Sequence, residues 1–141
     1  NQFGANLTVT NGYINVLQWL KDNGLPMPDQ DGVNRACYWN NLEVLKWLKN
    51  NNLILPNQEG AIQASGGGQV EILQWMKDNN LGLPNQEAAD WATSNERLNV
   101  LKWIRDNGIT IDMNKIADIA YSNYQYKIVE WLESIRNSEQ Y

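Results

Sequence analysis

Tryptophan recurs at a fixed spacing along this chain of 141 residues, and that spacing constrains the fold more than any other feature. Five of the seven tryptophans lie 28 residues apart, each within an apolar pentapeptide: Trp19, Trp47, Trp75, Trp103 and Trp131. The chain length equals five such periods plus one residue. A single period is too short to bury its own apolar face, so repeated units of this size stack and share a continuous core.

Two helices are predicted in each period. In the fourth period, residues 98–104 place apolar side chains on a broad helical stripe. The pair Asn107-Gly108 follows where a left-handed residue would end that helix. Asn57 and Asn85 directly follow a proline, and asparagine at such a position favours the N-cap of the next helix.

The predicted first helix of each period carries small residues on one face. Ala61 and Ala64 lie three residues apart in the third period, and Ala89 and Ala92 hold the same positions in the fourth. Small side chains let another helix approach closely, so the sequence predicts an all-α fold, an α-solenoid of five stacked helix-turn-helix repeats. One repeat domain would fill the chain, with repeats at 1–28, 29–56, 57–84, 85–112 and 113–141.

Composition excludes several classes of function. The chain has no histidine, so Ser-His-Asp and Cys-His catalytic sites and histidine zinc sites are unavailable. A formal net charge of -5 argues against a nucleic-acid partner, because such binding depends on clustered Lys and Arg. Cys37 is the only cysteine, which excludes an intrachain disulfide and favours a reducing, cytoplasmic location. No apolar run reaches the roughly 20 residues that span a bilayer, so we expect no membrane association.

The two predicted helices carry a resemblance to a known family. Residues 89–93 followed by 98–104 resemble the ankyrin repeat, in which an L-H-L-A-A first helix precedes a G-H-L-E-V-V-K-L-L second helix. Residues 41–48 are most similar to the short, Trp-containing ankyrin-like repeats of large DNA viruses and some protists. The unit here has 28 residues where about 33 are usual, and Leu-Pro-Asn-Gln-Glu replaces the T-P-L-H tetrapeptide. The resemblance implies a protein-interaction scaffold without catalysis, with shortened or absent β-hairpin fingers.

Positions that differ from repeat to repeat are the candidates for partner recognition, since recurring positions are already explained by packing. A column is the set of residues that occupy the same position in successive 28-residue periods. Four columns that vary in residue type flank the small residue of the first helix and continue into the turn after it. Stacking of the repeats would bring these columns together on the concave side of the solenoid. One of them contains Val9, Cys37, Ser65, Thr93 and Tyr121. Trp, Tyr and Arg are enriched at interface hot spots. We therefore predict a partner-binding surface made of Arg35, Tyr38, Trp39, Gln63, Trp91, Tyr121 and Tyr124.

The tryptophans divide into two groups. The five in register are interpreted as a packing column, with each ring lying between successive units. Trp39 and Trp91 fall outside the register, and two interpretations stay open for them: they contact a partner, or they fill local gaps. The second applies with more force to Trp91, because it aligns with a leucine of the ankyrin first helix.

Other features carry no functional expectation. Residues 65–68, Ser-Gly-Gly-Gly, lack the Gly-Lys-Ser/Thr ending and the preceding strand of a phosphate-binding loop. Cys37 has no histidine to act as its base. Glu43 and Glu71 share a column with Asn99 and Lys127, which indicates a solvated face. We expect no enzyme activity, no cofactor and no metal site.

The predicted function is a non-catalytic scaffold that binds a partner protein through the variable concave face, for instance as a substrate-recognition array. The first alternative is a structural solenoid that associates end to end. Phe3 and Leu7 in the first helix and Ile135 in the last are apolar, so neither end of the solenoid has an obviously polar outer surface. A modular nucleic-acid reader is the second alternative, which the acidic balance opposes. The sequence begins with Asn1, so we expect a fragment of a longer chain with flanking domains.

Overall fold

A computed structural model describes residues 1–139 of the protein, and these residues form ten α-helices and no β-strand. In chain order the helices are α1 (Gln2–Thr10), α2 (Ile14–Asp22), α3 (Gln30–Ala36), α4 (Leu42–Asn50), α5 (Gln58–Gly67), α6 (Val70–Asp78), α7 (Gln86–Ser94), α8 (Leu98–Asp106), α9 (Met113–Ser122) and α10 (Tyr126–Glu139). Two helices fall within each 28-residue period, so the expected all-α fold is confirmed. None of the described helices combines the length and apolar character required to cross a membrane.

The odd-numbered helices make the most extensive contacts between helices. α1 packs on α3, α3 on α5, α5 on α7 and α7 on α9. Ala61, Ala64, Ala89 and Ala92 are fully buried at these contacts, as their small size predicted. α1, α5, α7 and α9 also pack against the helix that follows each of them in the chain. The small residues thus set the approach of neighbouring helix pairs.

The odd-numbered helices after α1 begin at polar caps. The Asp29 side chain accepts a hydrogen bond of 2.9 Å from the Gly32 N–H, and Asn85 accepts one of 3.0 Å from the Ala88 N–H. Asn57 caps α5 in the same way. Each bond satisfies a backbone donor that has no partner inside the helix, so the predicted N-caps are confirmed.

Most even-numbered helices end at a left-handed residue. The φ angles of Gly24, Asn52, Asn80 and Gly108 are 65°, 55°, 56° and 69°. Glycine adopts this conformation without steric cost, and asparagine tolerates it better than other residues. The helix end predicted at Asn107-Gly108 is therefore confirmed, and the second helices of the three preceding periods end in the same way.

Fully buried leucines lie two residues before the first four tryptophans of the second helices. Leu17, Leu45, Leu73 and Leu101 are all essentially inaccessible to solvent. The tryptophan column itself is less buried than predicted: Trp103 is 8% exposed, Trp47, Trp75 and Trp131 are half-buried, and Trp19 is 58% exposed. The prediction of a core position is wrong for Trp19. This residue belongs to the first helix pair, and the described residues contain no preceding helix pair that could cover its ring.

Paired hydrogen bonds cross the joins between periods. The Asn6 amide donates to the Asp29 carboxylate at 3.0 Å and accepts from the Asp29 N–H at 3.0 Å. Asn34 makes the same two bonds with Asn57, at 2.9 and 3.1 Å. Asp29 and Asn57 are thereby tied to the first helix of the preceding period, and local capping is reinforced by tertiary contact at these two N-caps.

Cys37 lies in the core at the end of α3. Its thiol donates to the Val33 carbonyl at 3.6 Å, and the equivalent Ser65 hydroxyl donates to the Ala61 carbonyl at 2.8 Å. Burial raises the pKa of the Cys37 thiol from 9.0 to about 12, because the charged thiolate loses its hydration. The thiol therefore stays protonated at neutral pH in the folded protein.

Replacing Cys37 by serine should remove part of the loss of stability at alkaline pH. Below pH 9 the thiol is protonated in the folded and unfolded states and adds no pH dependence; between pH 9 and 12 only the unfolded state ionises, so stability falls as pH rises. At pH 10 this loss amounts to about 1.4 kcal/mol. Urea unfolding of the native chain and of Cys37→Ser at pH 7 and pH 10 measures the difference. Equal pH dependence in the two chains would contradict the assignment.

Candidate functional site

A groove of about 430 Å³ crosses four odd-numbered helices on one face of the molecule. Helix α1 and helix α3 with its following turn supply most of its lining, and α5 and α7 supply one residue each. The lining residues are Phe3, Asn6, Leu7, Thr10, Arg35, Tyr38, Trp39, Gln63 and Trp91. Its volume lies within the range of about 300 to 1,000 Å³ that is usual for ligand sites. Five of the seven predicted partner-binding residues are brought together here.

Three aromatic side chains form a continuous row along this groove. The rings of Tyr38 and Trp39 meet edge to face, with centroids 4.9 Å apart and planes at 73°. The rings of Tyr38 and Trp91 lie 5.5 Å apart with planes at 32°. Tyr38 therefore joins the two tryptophans that fall outside the 28-residue register, and the three rings support one another.

Glycine makes this row possible. A Cβ atom on Gly66 would lie 2.4 Å from the Trp91 ring, and one on Gly67 would lie 2.0 Å from the Tyr38 carbonyl oxygen. Real Cβ atoms do not approach other atoms so closely, so both positions exclude a side chain in this arrangement. The glycine run at 66–68, which has no phosphate-loop context in the sequence, leaves the space that Trp91 fills.

The position of the glycine run also opposes anion binding. It forms the C-terminal end of α5, where backbone carbonyl groups point outward and the helix dipole is negative. The Gly66 carbonyl accepts hydrogen bonds from the Asn95 amide at 2.9 Å and from the Arg97 side chain at 3.1 Å. These carbonyl oxygens accept hydrogen bonds, and the oxygens of a phosphate group are acceptors as well. The end of α5 is therefore not suited to hold a phosphate group.

The indole N–H groups distinguish the groove tryptophans from two of those in register. Trp47 donates to Gln18 at 3.1 Å, and Trp103 donates to Gln74 at 3.0 Å. Within residues 1–139, the indole N–H groups of Trp39 and Trp91 make no hydrogen bond. Trp39 is 54% exposed and Trp91 is half-buried, so the groove offers aromatic surface that neighbouring side chains do not fully cover.

Arg35 lies on the exposed side of α3 beside the aromatic row. Its Nε atom is 3.2 Å from a carboxylate oxygen of Asp31, one helical turn earlier. Both side chains are exposed, and such a surface pair contributes about 0 to 1 kcal/mol. The pair orients the guanidinium without holding it strongly.

Tyr121 and Tyr124 lie away from this groove. Tyr121 is exposed on α9, and its hydroxyl donates to Glu133 of α10 at 3.2 Å. Tyr124 adopts a left-handed φ of 57° in the turn after α9. It lines a second cavity of about 350 Å³ together with Tyr126 and Gln125.

The column that contains Tyr121 is a core column in the first four periods. Val9, Cys37, Ser65 and Thr93 are fully buried, so the expectation that this column varies because it faces a partner is wrong for them. Its members are small because each packs against the next period; a Cβ on Gly60, for example, would lie 3.2 Å from the Cys37 sulfur.

Four lining residues were missed by the sequence prediction. Phe3, Asn6, Leu7 and Thr10 all belong to α1 and form one wall of the groove. Leu7 and Thr10 belong to the variable columns of the first helix but are not among the predicted contacts, and Phe3 and Leu7 are interpreted as signs of an uncapped end. A better signal exists, because Phe3 occupies a column in which every other member is charged: Asp31, Glu59, Glu87 and Lys115.

Across residues 1–139 no group of three or more His, Cys, Asp or Glu side chains is arranged to hold a metal ion. Lys115 is bonded to Asp90 at 2.6 Å, and this hydrogen bond raises the pKa of the exposed ammonium. Glu43, Glu71 and Lys127 are exposed, as expected for a solvated face.

Comparison with known proteins returns no match, either to a protein-family model or to a curated protein.

Replacing Gly66 by alanine should destabilise the protein through Trp91. The added Cβ meets the indole ring, and overpacking of this kind costs about 1 to 3 kcal/mol, against a gain in helix propensity of about 1 kcal/mol. We expect the unfolding free energy to fall by up to about 2 kcal/mol in urea titrations, because the 2.4 Å approach to the ring requires the ring to move. In a Trp91→Ala background the same change should be neutral or stabilising. An equal cost in both backgrounds would show that the ring does not set the requirement for glycine.

Proposed function

We propose that this protein is a non-catalytic scaffold that binds a partner protein through the groove between α1 and α7. The observation that carries the proposal is the aromatic row Trp39–Tyr38–Trp91 beside Arg35. These are the residue types that dominate binding energy at protein interfaces. We further propose that the five helix pairs are ankyrin-like repeats stacked as an α-solenoid, in line with the 28-residue period and the contacts from α1 through α9.

The groove favours a protein segment over a small reacting substrate. Its lining comes from four helices, which lie about 8 to 10 Å from their neighbours in packed structures, so an occupant would be extended. Chemistry would require a nucleophile and a base within hydrogen-bond reach. Cys37 is buried with a raised pKa, and the groove lining contains no carboxylate. We therefore propose that the scaffold has no enzyme activity and needs no cofactor or metal.

End-to-end association is the second candidate, and exposed apolar residues of the first helix pair favour it. Val16 and Trp19 are exposed, whereas their equivalents in later pairs are buried or half-buried. The opposite end argues against a copy stacked in register, because Tyr121 stands where the other pairs bury a small residue. We place partner binding first for this reason.

The setting proposed for this scaffold is the cytoplasm. Within residues 1–139 the only cysteine is free and buried, which suits a reducing compartment. The resemblance to short viral and protist ankyrin-like repeats makes a substrate-recognition array the form of scaffold that we propose.

Substitutions in the groove should abolish partner capture without unfolding the chain. Trp39 and Arg35 are exposed, so replacing both by alanine removes aromatic area and a cation at little cost in stability. We expect proteins captured from lysate by the native chain, and identified by mass spectrometry, to fall at least tenfold with Arg35→Ala/Trp39→Ala. The thermal melt followed by circular dichroism should change little.

Trp19→Ala is the matched control for this experiment. Trp19 is 58% exposed and Trp39 is 54% exposed, but Trp19 lies on α2 outside the groove. Capture that survives the groove substitutions, or that Trp19→Ala reduces as much, would reject the groove as the interface.

Molar mass over a concentration series should separate binding from self-assembly. We expect light scattering after size exclusion to give a constant mass near 16.2 kDa from micromolar to millimolar protein. Growth of the mass with concentration, reversed by Val16→Ser/Trp19→Ser, would favour end-to-end stacking instead.

A further inference from the structure

The charge of the groove points to the chemistry of its occupant, and this inference rests on the proposed function. We propose that the groove binds an extended peptide segment in which one carboxylate pairs with Arg35 and an adjacent apolar or aromatic side chain contacts the row of Tyr38, Trp39 and Trp91.

Arg35 is the one formal charge among the nine lining residues. Asn6, Thr10 and Gln63 are neutral, and the others are apolar or aromatic. A peptide that brings a carboxylate here meets a complementary charge, whereas a lysine or arginine at this point would meet a like charge. The lining therefore selects an acidic group over a basic one.

The Arg35 guanidinium is available for such a contact. A guanidinium has five N–H donors in a planar fork, which matches the two oxygens of a carboxylate. Asp31 contacts the Nε atom, and the Nη groups make no hydrogen bond within residues 1–139. The side chains of Arg35 and Asp31 are 69% and 67% exposed, so water already screens their attraction and a partner can add to it or replace it.

The apolar part of the occupant follows from α1. Phe3 is 71% exposed and Leu7 is also exposed, and both line the groove with Trp39. Phe3 stands in the column that holds Asp31, Glu59 and Glu87 in the next three periods, so the first period presents an aromatic ring in place of a carboxylate. An apolar side chain of the occupant that enters beside Arg35 would cover Phe3, Leu7 and Trp39. It would also exclude water from the ion pair between Arg35 and the carboxylate of the occupant.

The charge outside the groove limits the occupant to few acidic groups. Glu59 and Glu87 are exposed at the start of α5 and α7, and the chain has a net charge of -5. A run of carboxylates would be repelled by this surface, while a single one can pair with Arg35. We therefore expect one carboxylate within an otherwise apolar or neutral segment.

Selection from a displayed library of random 12-residue peptides tests this inference on the full chain. Peptides enriched by the native chain should carry an aromatic or large aliphatic residue within three positions of a single Asp or Glu. Replacing that Asp or Glu by its amide in a synthetic peptide should weaken binding at least tenfold by fluorescence anisotropy. On Arg35→Glu the library should instead enrich peptides with Lys or Arg at that place. Lys102→Glu, an equal charge change at an exposed residue outside the groove, should leave the selection unchanged.

The outcomes separate the inference from the function that it rests on. Enrichment of basic or proline-rich peptides, bound in a Trp39-dependent way, would overturn the acidic occupant and keep the groove as a binding site. Acidic peptides that bind Arg35→Glu as well as the native chain would also overturn it. Failure to enrich any peptide, or binding that Trp39→Ala does not reduce, would overturn the binding groove as well. Equal circular dichroism melts for the variants and the native chain exclude loss of fold as a cause.

Discussion

Close packing between the odd-numbered helices is the constraint on which the rest of the structure depends. A pair of short helices cannot bury enough apolar surface by itself, so each pair must lie against the next. Small residues such as Ala64 and Ala92 permit this approach, and the caps at Asp29 and Asn57 are bonded to the helix of the preceding period. Local helix signals and long-range contacts therefore agree with each other, which is expected of a sequence that specifies one fold.

The groove results from departures from this repeated pattern. Gly66 and Gly67 replace side chains that other periods carry, and Trp91 fills the space on the side of α7. Trp91 supports Tyr38, and Tyr38 supports Trp39. The packing and binding interpretations of Trp91 are thus compatible, because one face of the ring covers glycine while the residue also lines the groove. The groove is formed here while the alanines between the helices remain buried.

Sequence periodicity predicted the helices, several of their N-caps and four of their ends, because these depend on neighbouring residues and recur in most periods. It also predicted five groove residues, since variable columns on one face must lie together once the helices stack. It failed where burial depends on position in the stack. Trp19 and Trp103 have the same local sequence context, yet only Trp103 is enclosed by helix pairs on both sides. Phe3 was missed because its column is not among the variable columns considered, and Leu7, which is in one of them, was missed because the prediction favoured the Trp, Tyr and Arg residues of interface hot spots.

The indole hydrogen bonds have a mechanical consequence. The indoles of Trp47 and Trp103 donate hydrogen bonds to Gln18 and Gln74 of the preceding period. Lys46 and Lys102 occupy the equivalent positions in the periods before Trp75 and Trp131. A lysine side chain cannot accept a hydrogen bond, so the last two indoles lack this contact. The joins between periods are therefore of two kinds that alternate at this column, although the sequence period suggests identical units. Under bending or extension, the joins after the second and fourth periods would therefore be opposed by one hydrogen bond fewer at the tryptophan column, while the paired Asn34–Asn57 bonds still cross the first of them.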